Sequence, residues 1–356
     1  MKRFVLLLCL AFSLNAIAQT APFKIGVHYF PGWKDNQLGA AYPIPWDKIK
    51  PYPEREPLLG WYTDGEASVM NQHLEWMGKY GINFVVFNWF WSAESKPILS
   101  HALNAYLQAP SKHGVEFAIM WANHTKYIFS KKQFETMFRF WAQRYMFRSD
   151  YLKVDGKPVV FILSADILNK NAVQIGMQPA QLTALADQIF KEAGLPGINF
   201  IAGAGARQGG GLDYTRTGGY TGYFAYNYYG PATYRFANGR YLSHSYEEMT
   251  ESYRDQWKWF LNNDTGTYFL PMTSGWDKRP WGGSKVPEQD NSASTPAAFE
   301  KHLLEAKAKM RAYPEKTKGL GLICCWNEFG EGSYIEPTKK YQFQYLESVK
   351  KVFGSP

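Results

Sequence analysis

The stretch Met70-Asn71-Gln72-His73-Leu74-Glu75-Trp76-Met77-Gly78-Lys79-Tyr80-Gly81-Ile82-Asn83-Phe84-Val85-Val86-Phe87-Asn88-Trp89-Phe90 holds the repeating unit of the fold. Met70, Leu74 and Met77 recur at i, i+4 and i+7, the spacing of a helix with one apolar face. After Gly81 the pattern changes to a nearly unbroken apolar run, the signature of a strand buried on both sides. Working outward, short β-rich runs of this kind recur at Phe23–Phe30, Gly81–Phe90, Val115–Trp121, Lys157–Leu163, Gly197–Ala202, Thr221–Asn227, Thr267–Met272 and Gly319–Cys325. Most of the gaps between them carry helical stripes. These are Phe134, Met137, Trp141 and Tyr145; Leu182, Leu185 and Ile189; Met249, Tyr253, Trp257 and Phe260; and Phe299, Leu303, Ala306 and Met310.

Eight strands alternating with helices predict an α/β chain folded as a single (β/α)8 TIM barrel. The Gly-rich segment Gly203–Gly219 shows no helical stripe, so one barrel helix is expected to be reduced there. Long insertions follow the first strand (Pro31 to Asp64) and the seventh (Ser274 to Thr295). A doubly wound sheet is the alternative. Gly209-Gly210-Gly211 does not supply the G-x-G-x-x-G fingerprint that a dinucleotide-binding version of that fold carries.

The first 18 residues read as a signal peptide. Met1-Lys2-Arg3 is a basic start, Phe4 to Leu14 an apolar run too short to span a bilayer, and Ala16-Ile17-Ala18 a small-residue cleavage site. The barrel domain then occupies 19–356, and the protein is expected to be exported to the periplasm or the exterior, with no integral membrane segment. With 13 Trp, 24 Tyr and 24 Phe the chain is too aromatic for a disordered protein. Its basic residues are scattered, which argues against a nucleic-acid groove. Outside the signal, Cys324 and Cys325 are the only cysteines. Neighbouring side chains on a strand point to opposite faces, so no disulfide is expected between them. No His/Cys cluster has zinc spacing, and neither a metal nor another cofactor is expected.

In a barrel of this kind the chemistry sits at the C-terminal ends of the strands. Here those ends collect aromatic and polar residues: Tyr29 and Trp33 after the first, Asn88, Trp89 and Trp91 in the second, Trp121, Asn123 and His124 in the third. Tyr226 and Asn227 follow in the sixth, Trp276, Asp277 and Arg279 after the seventh, and Trp326 and Asn327 after the eighth. Aromatic platforms with fixed hydrogen-bonding groups suit sugars, which have an apolar CH face and a rim of hydroxyls. An oligosaccharide or polysaccharide is therefore the expected partner.

Glycoside hydrolysis needs two carboxyl groups, one protonated and one ionised. Glu328 and Glu331 form the best pair, in a turn with Gly330 and Gly332 where three-residue spacing brings both to one pocket. A separation of about 5 Å would suit a retaining enzyme and about 6.5–9.5 Å an inverting one. The competing reading is a solvated turn with two surface glutamates. Among other acids, Asp277 is expected to pair with Arg279, Asp64 and Glu66 to serve a helix start, and Glu336 to be structural. His28 is expected to be a core histidine. No G-x-S-x-G elbow marks an α/β-hydrolase.

The terminal motif Trp326-Asn327-Glu328-Phe329-Gly330-Glu331-Gly332-Ser333-Tyr334-Ile335-Glu336-Pro337 resembles the glycoside hydrolase family 99-like proteins, relatives of the endo-α-mannosidases. Tyr29-Phe30-Pro31-Gly32-Trp33, Arg55 to Tyr62, Phe87 to Trp91 and Gly275-Trp276-Asp277-Lys278-Arg279-Pro280 match in the expected order. The resemblance implies a barrel and a retaining mechanism. In it Glu328 takes the proton of the sugar 2-hydroxyl, which attacks the anomeric carbon, and Glu331 serves the glycosidic oxygen as acid and base. The sequence departs from the mannosidases before the second glutamate, where Gly330 replaces their usual His. The expectation is a secreted hydrolase of an α-linked glycan, mannan-like or a bacterial polysaccharide. The alternatives are a non-catalytic glycan-binding barrel and a glycosyltransferase.

Overall fold

The computed structural model describes residues 23–124, 130–203, 214–228, 236–237, 240–241, 244–263 and 266–354. The expected signal peptide lies outside these residues. Eight parallel strands form the centre: β1 Lys24–Tyr29, β2 Phe84–Trp91, β3 Glu116–Trp121, β4 Lys157–Ile162, β5 Asn199–Gly203, β6 Gly222–Phe224, β7 Leu270–Thr273 and β8 Leu320–Cys324. Each β-rich run read from the sequence overlaps one of them, with β2, β5 and β7 running one residue past the expected end.

The strands pair in chain order from β1 to β6, and β8 pairs with both β7 and β1. The ring closes through Thr267–Tyr268, which pairs in parallel with β6. Phe269 lies between that segment and β7, and its N–H donates to the Tyr223 carbonyl at 3.0 Å. The seventh strand is thus one strand interrupted at a single residue, and the barrel is an eight-stranded (β/α)8 barrel.

Helices α1 Ala67–Lys79, α2 His101–Gln108, α3 Lys131–Trp141, α4 Ala165–Gln174 and α5 Pro179–Glu192 lie between the first five strands. Between β5 and β6 the described residues hold only the single turn α6 Tyr214–Thr217, and the glycine run at 209–211 lies outside them. Helices α7 Tyr246–Asn262 and α8 Pro296–Ala312 precede β7 and β8; the short α9 Pro314–Thr317 follows α8, and α10 Gln344–Phe353 ends the wrap. Met70, Leu74 and Met77 are buried on α1, and Phe299, Leu303, Ala306 and Met310 on α8, as their periodicity requires. Helices α2, α4 and α10 stand beside those that spacing predicts.

Local chemistry fixes the helix starts. Ser130, Ser164, Ser245 and Thr295 each accept an N–H of the first turn through the side-chain oxygen, a cap contributing about 1 kcal/mol. Ser245 and Glu248 close a reciprocal capping box, and Pro296 occupies the first turn of α8, where its missing N–H costs nothing.

One expectation is corrected. Cys324 and Cys325 are joined by a disulfide and both are fully buried. Alternation of side chains applies inside an extended strand; β8 stops at Cys324, and the peptide bond that follows is cis. Among the described residues no helix is long and apolar enough to cross a membrane.

Candidate active site

Beyond β8 the chain forms a tight hairpin in which Asn327–Glu328 pairs antiparallel with Ser333–Tyr334. The turn is closed by the Glu331 N–H donating to the Glu328 carbonyl at 3.2 Å. Two glycines make the turn feasible for different reasons. Gly332 has φ +70°, the left-handed region that side chains disfavour. Gly330 has ordinary geometry but lies against the Trp281 indole, so a Cβ there would collide with the ring. The spacing E-x-x-E thus becomes two carboxyl groups on one turn above the barrel mouth.

The hairpin is braced from behind. Arg55, 3% exposed, donates to the Phe329 carbonyl at 2.7 Å and the Asp277 carbonyl at 3.0 Å, and also to the Asp277 carboxylate. The Asp277 N–H donates to the Glu331 carbonyl at 2.7 Å. Arg279 grips the same carboxylate with two bonds of 2.8 and 2.6 Å. Burial alone would push the Asp277 carboxyl up, but the Arg279 hydrogen bonds and the Arg55 charge hold it below its ordinary value. Asp277 does pair with Arg279, and the buried Arg55 is the partner that sequence reasoning missed.

Both glutamates border a pocket of about 480 Å³ at the C-terminal ends of the strands. Of the other residues expected to bind substrate, Asn88, His124, Tyr226, Asn227 and Trp276 line it as well. The Tyr226 hydroxyl donates to Glu328 Oε1 at 2.6 Å and accepts from Asn88 Nδ2 at 2.9 Å. Asn88 Oδ1 is buried with no hydrogen-bond partner, an acceptor left for a bound molecule. Asn227 is held by the Tyr253 hydroxyl at 2.6 Å and donates to Ser333 Oγ at 2.8 Å, tying β6 to the hairpin.

The remaining expected residues stand behind the lining. Tyr29 donates to Asp64 at 2.7 Å, and Trp33 stacks on Trp46 with ring centroids 4.0 Å apart. Trp89 stacks on Trp91, and Trp121 packs against Phe134 and Trp141. Asn123 exchanges two hydrogen bonds of 2.8 Å with the Ser164 backbone, and Asn327 clasps the Phe30 backbone in the same way at 2.8 and 3.1 Å. Trp326 is fully buried, and Asp277 and Arg279 form the brace already described. The strand-end Trp residues apart from Trp276 are therefore core. The residues missed at the pocket are apolar or small: Phe30, Leu38, Phe90, Leu99, Met120, Ala122, Leu163 and Gly203. No composition signal distinguishes them from core.

The electrostatics favour a retained proton. Burial, and then the Glu331 charge, push the Glu328 carboxyl up, against the pull of the Tyr226 hydroxyl and the Lys278 ammonium. Burial pushes Glu331 up to about 7, again opposed by Lys278. Burial raises Glu331 by itself, and at Glu328 the Glu331 charge adds to burial, so near neutrality the pair retains a proton. Beneath them His28 is buried against Tyr226, with ring centroids 4.7 Å apart, and burial pushes it down to about 3, so it is neutral. Among the described residues no group of three or more His, Cys, Asp or Glu could hold a metal ion.

Residues 50–349 match the family model described as glycosyltransferase WbsX. No curated protein matches the chain. Among solved structures, a glycoside hydrolase-like protein superposes with a TM-score of 0.68 at 16% identity, covering 94% of this chain and 95% of that one. The GH99 endo-α-mannosidase of Bacteroides thetaiotaomicron, in complex with bis-tris-propane, gives 0.60 at 17% identity over 92% and 95%. A family 39 glycoside hydrolase from Bacteroides cellulosilyticus gives 0.50 at 10% identity over 94% and 64%. At these identities the likeness establishes the barrel.

Proposed function

The chain belongs to the WbsX family, and we propose that it is a glycoside hydrolase that cleaves an α-linked glycan with retention, using Glu331 as acid and base and Glu328 to activate the sugar 2-hydroxyl. The observation that carries this reading is the pair itself: two buried-side carboxyls on one braced turn, opening into a pocket, with Glu331 pushed up to about 7. A carboxyl at that value is protonated enough to give a proton near neutral pH and basic enough to take one back.

In the first step Glu331 gives its proton to the glycosidic oxygen as the bond to the anomeric carbon breaks. Glu328 takes the 2-hydroxyl proton while O2 bonds to that carbon, giving a 1,2-anhydro sugar. Water then opens the ring, losing its proton to Glu331, and Glu328 returns its proton to O2. Two inversions at the anomeric carbon leave it retained. Glu328 must begin ionised against its burial and the Glu331 charge, and the Tyr226 hydroxyl at 2.6 Å and the Lys278 ammonium are the groups that favour the charge there. Tyr226 keeps its own proton because burial, and then Glu328, raise it well above its ordinary value.

The named hydrolases and mannosidase of the same fold support hydrolysis, whereas the family description points to transfer. Incubation with α-mannans and bacterial surface polysaccharides, with released sugars read by mass spectrometry, separates the two. Release that vanishes in Glu331→Gln is the expected result. Product formed only with an added sugar nucleotide would replace this reading with the transferase one. The export expected from residues 1–18 would place the substrate outside the cytoplasm.

A further inference from the structure

The pocket is divided by strand of origin. Its walls from β1 to β4 and the loops after β1 and β2 present Phe30, Leu38, Phe90, Leu99, Met120 and Leu163. The carboxyls, Tyr226, Asn227 and Trp276 all come from β6 to β8 or from the loops that follow them. Strands pair around the ring in chain order, so these two sets form opposite sides of one cavity. Two polar side chains interrupt the apolar side. Asn88 turns its Nδ2 across to the Tyr226 hydroxyl and leaves Oδ1 as a single open acceptor, and His124 is exposed at the rim beside Phe90.

A hydroxyl pressed against Leu, Met and Phe loses water and gains no partner, whereas a methyl or acetyl group gains contact area there. We propose that this pocket, in the hydrolase reading above, takes a sugar in which an apolar substituent replaces a hydroxyl, a 6-deoxy or acylated hexose, with that substituent against the apolar side and the anomeric carbon toward Glu331.

Leu99 is an independent sign. Its backbone sits at φ +52°, a conformation that Gly and Asn adopt readily and a branched apolar residue rarely does. The segment Pro97–Ile98 folds back antiparallel onto β2, pairing Ile98 with Phe90, and so delivers Leu99 beside the strand end. Such a backbone conformation is costly for leucine and accumulates at ligand-contacting positions. The chain keeps a leucine where asparagine would fit the backbone better and would offer a hydrogen bond.

The test uses matched methyl glycosides that keep the 2-hydroxyl trans to the aglycone, as the hydrolase reading requires, and differ at one position: α-D-mannoside against α-D-rhamnoside, and α-D-mannoside against its 4-O-acetyl and 6-O-acetyl esters. Affinity is read from tryptophan fluorescence, since Trp276 lines the pocket, and the bound face from saturation-transfer NMR. The apolar member of at least one pair should bind about 10- to 100-fold more tightly, with its methyl protons receiving the strongest saturation. Leu99→Asn, which suits the backbone and should leave thermal unfolding unchanged, should bring that ratio to within a few-fold of one. Equal or tighter binding of every hydroxylated member, binding of no probe, or a ratio indifferent to Leu99→Asn overturns the proposal. A preference found without any Glu331-dependent turnover leaves the pocket assignment standing and removes the hydrolase reading. Glu331-dependent turnover without a preference does the reverse.

Discussion

Two acidic clusters flank the Trp326-Asn327 segment, and they use the same residue types for opposite ends. On one side Asp64 and Glu336 are each 1% exposed. Asp64 accepts from the Tyr29 hydroxyl at 2.7 Å and the Trp33 N–H at 2.9 Å. Glu336 accepts from the Tyr62 hydroxyl at 2.8 Å and lies 3.3 Å from His73 Nε2. On the other side Glu328 has one side-chain donor, Tyr226, and among the described residues the Glu331 carboxyl has none. Burial raises an acid in both clusters, Asp64 and Glu331 alike to about 7. A raised carboxyl is therefore not the mark of a reactive one here. The difference is whether its oxygens are enclosed by protein or face a cavity where a ligand can reach them.

The largest expected separation of the clusters comes from Glu331→Gln. Loss of the proton donor should lower turnover by about 10²–10⁴-fold, with glycan binding and unfolding temperature nearly unchanged. Turnover within a few-fold of wild type would move Glu331 into the structural class. Next in size, Glu336→Ala removes the carboxyl packed 3.3 Å from His73 Nε2 and the acceptor of the Tyr62 hydroxyl in a dry site. About 2 kcal/mol of stability should be lost with the buried hydrogen bond, read by urea unfolding, and a loss below ~1 kcal/mol would mean that water fills the gap. Tyr226→Phe should act chiefly through Glu328, while also taking the acceptor from Asn88 Nδ2. Removing the one hydroxyl that favours its charge should lower turnover by about tenfold and move the acid limb of the pH–rate profile upward. An unmoved acid limb would deny Tyr226 that role.

Sequence reasoning reached the barrel because each of its signals is local. The run Phe84 to Trp91 must be a strand buried on both faces, and the α1 stripe can pack only against such a sheet. The glutamate pair was legible for the same reason, since E-x-x-E with glycines describes one turn. The long-range contacts were not legible. Arg55 lies 222 residues from Asp277, and nothing in the text around it marks a buried brace. Tryptophans were the misleading signal: Trp33, Trp89 and Trp326 sit at strand ends in sequence, but in space they are the second layer that holds the mouth in shape. Leu99 and Leu163, which do face the pocket, read as ordinary core. Asp64, adjacent to a helix start, looked like a cap. It instead bonds back to Trp33 and Tyr29, contacts that only the closed loop brings together.

The smallest effect at neutral pH belongs to Asp64→Asn, and it appears as a slope. In the fold Asp64 keeps its proton up to about 7, against an ordinary value of 3.8. Between those values the unfolded chain has released the proton and the folded one has not. Stability from this group is therefore complete below pH ~4, falls as pH rises toward ~7, and is flat above. Asparagine cannot ionise, its carbonyl can still accept from Trp33, and its amide can donate to the Tyr29 oxygen. The variant should fold, and its stability between pH 4 and 7 should decline less steeply than that of the wild type in urea titrations. Turnover obeys the other cluster. It should fall above pH ~7 as Glu331 loses the proton it must give. That alkaline limb should be the same in Asp64→Asn and wild type, because no proton of the reaction passes through Asp64. A limb that moves with Asp64→Asn would mean that the two clusters titrate as one across Asn327, and that the sealed side of the mouth helps set the charge of the open one.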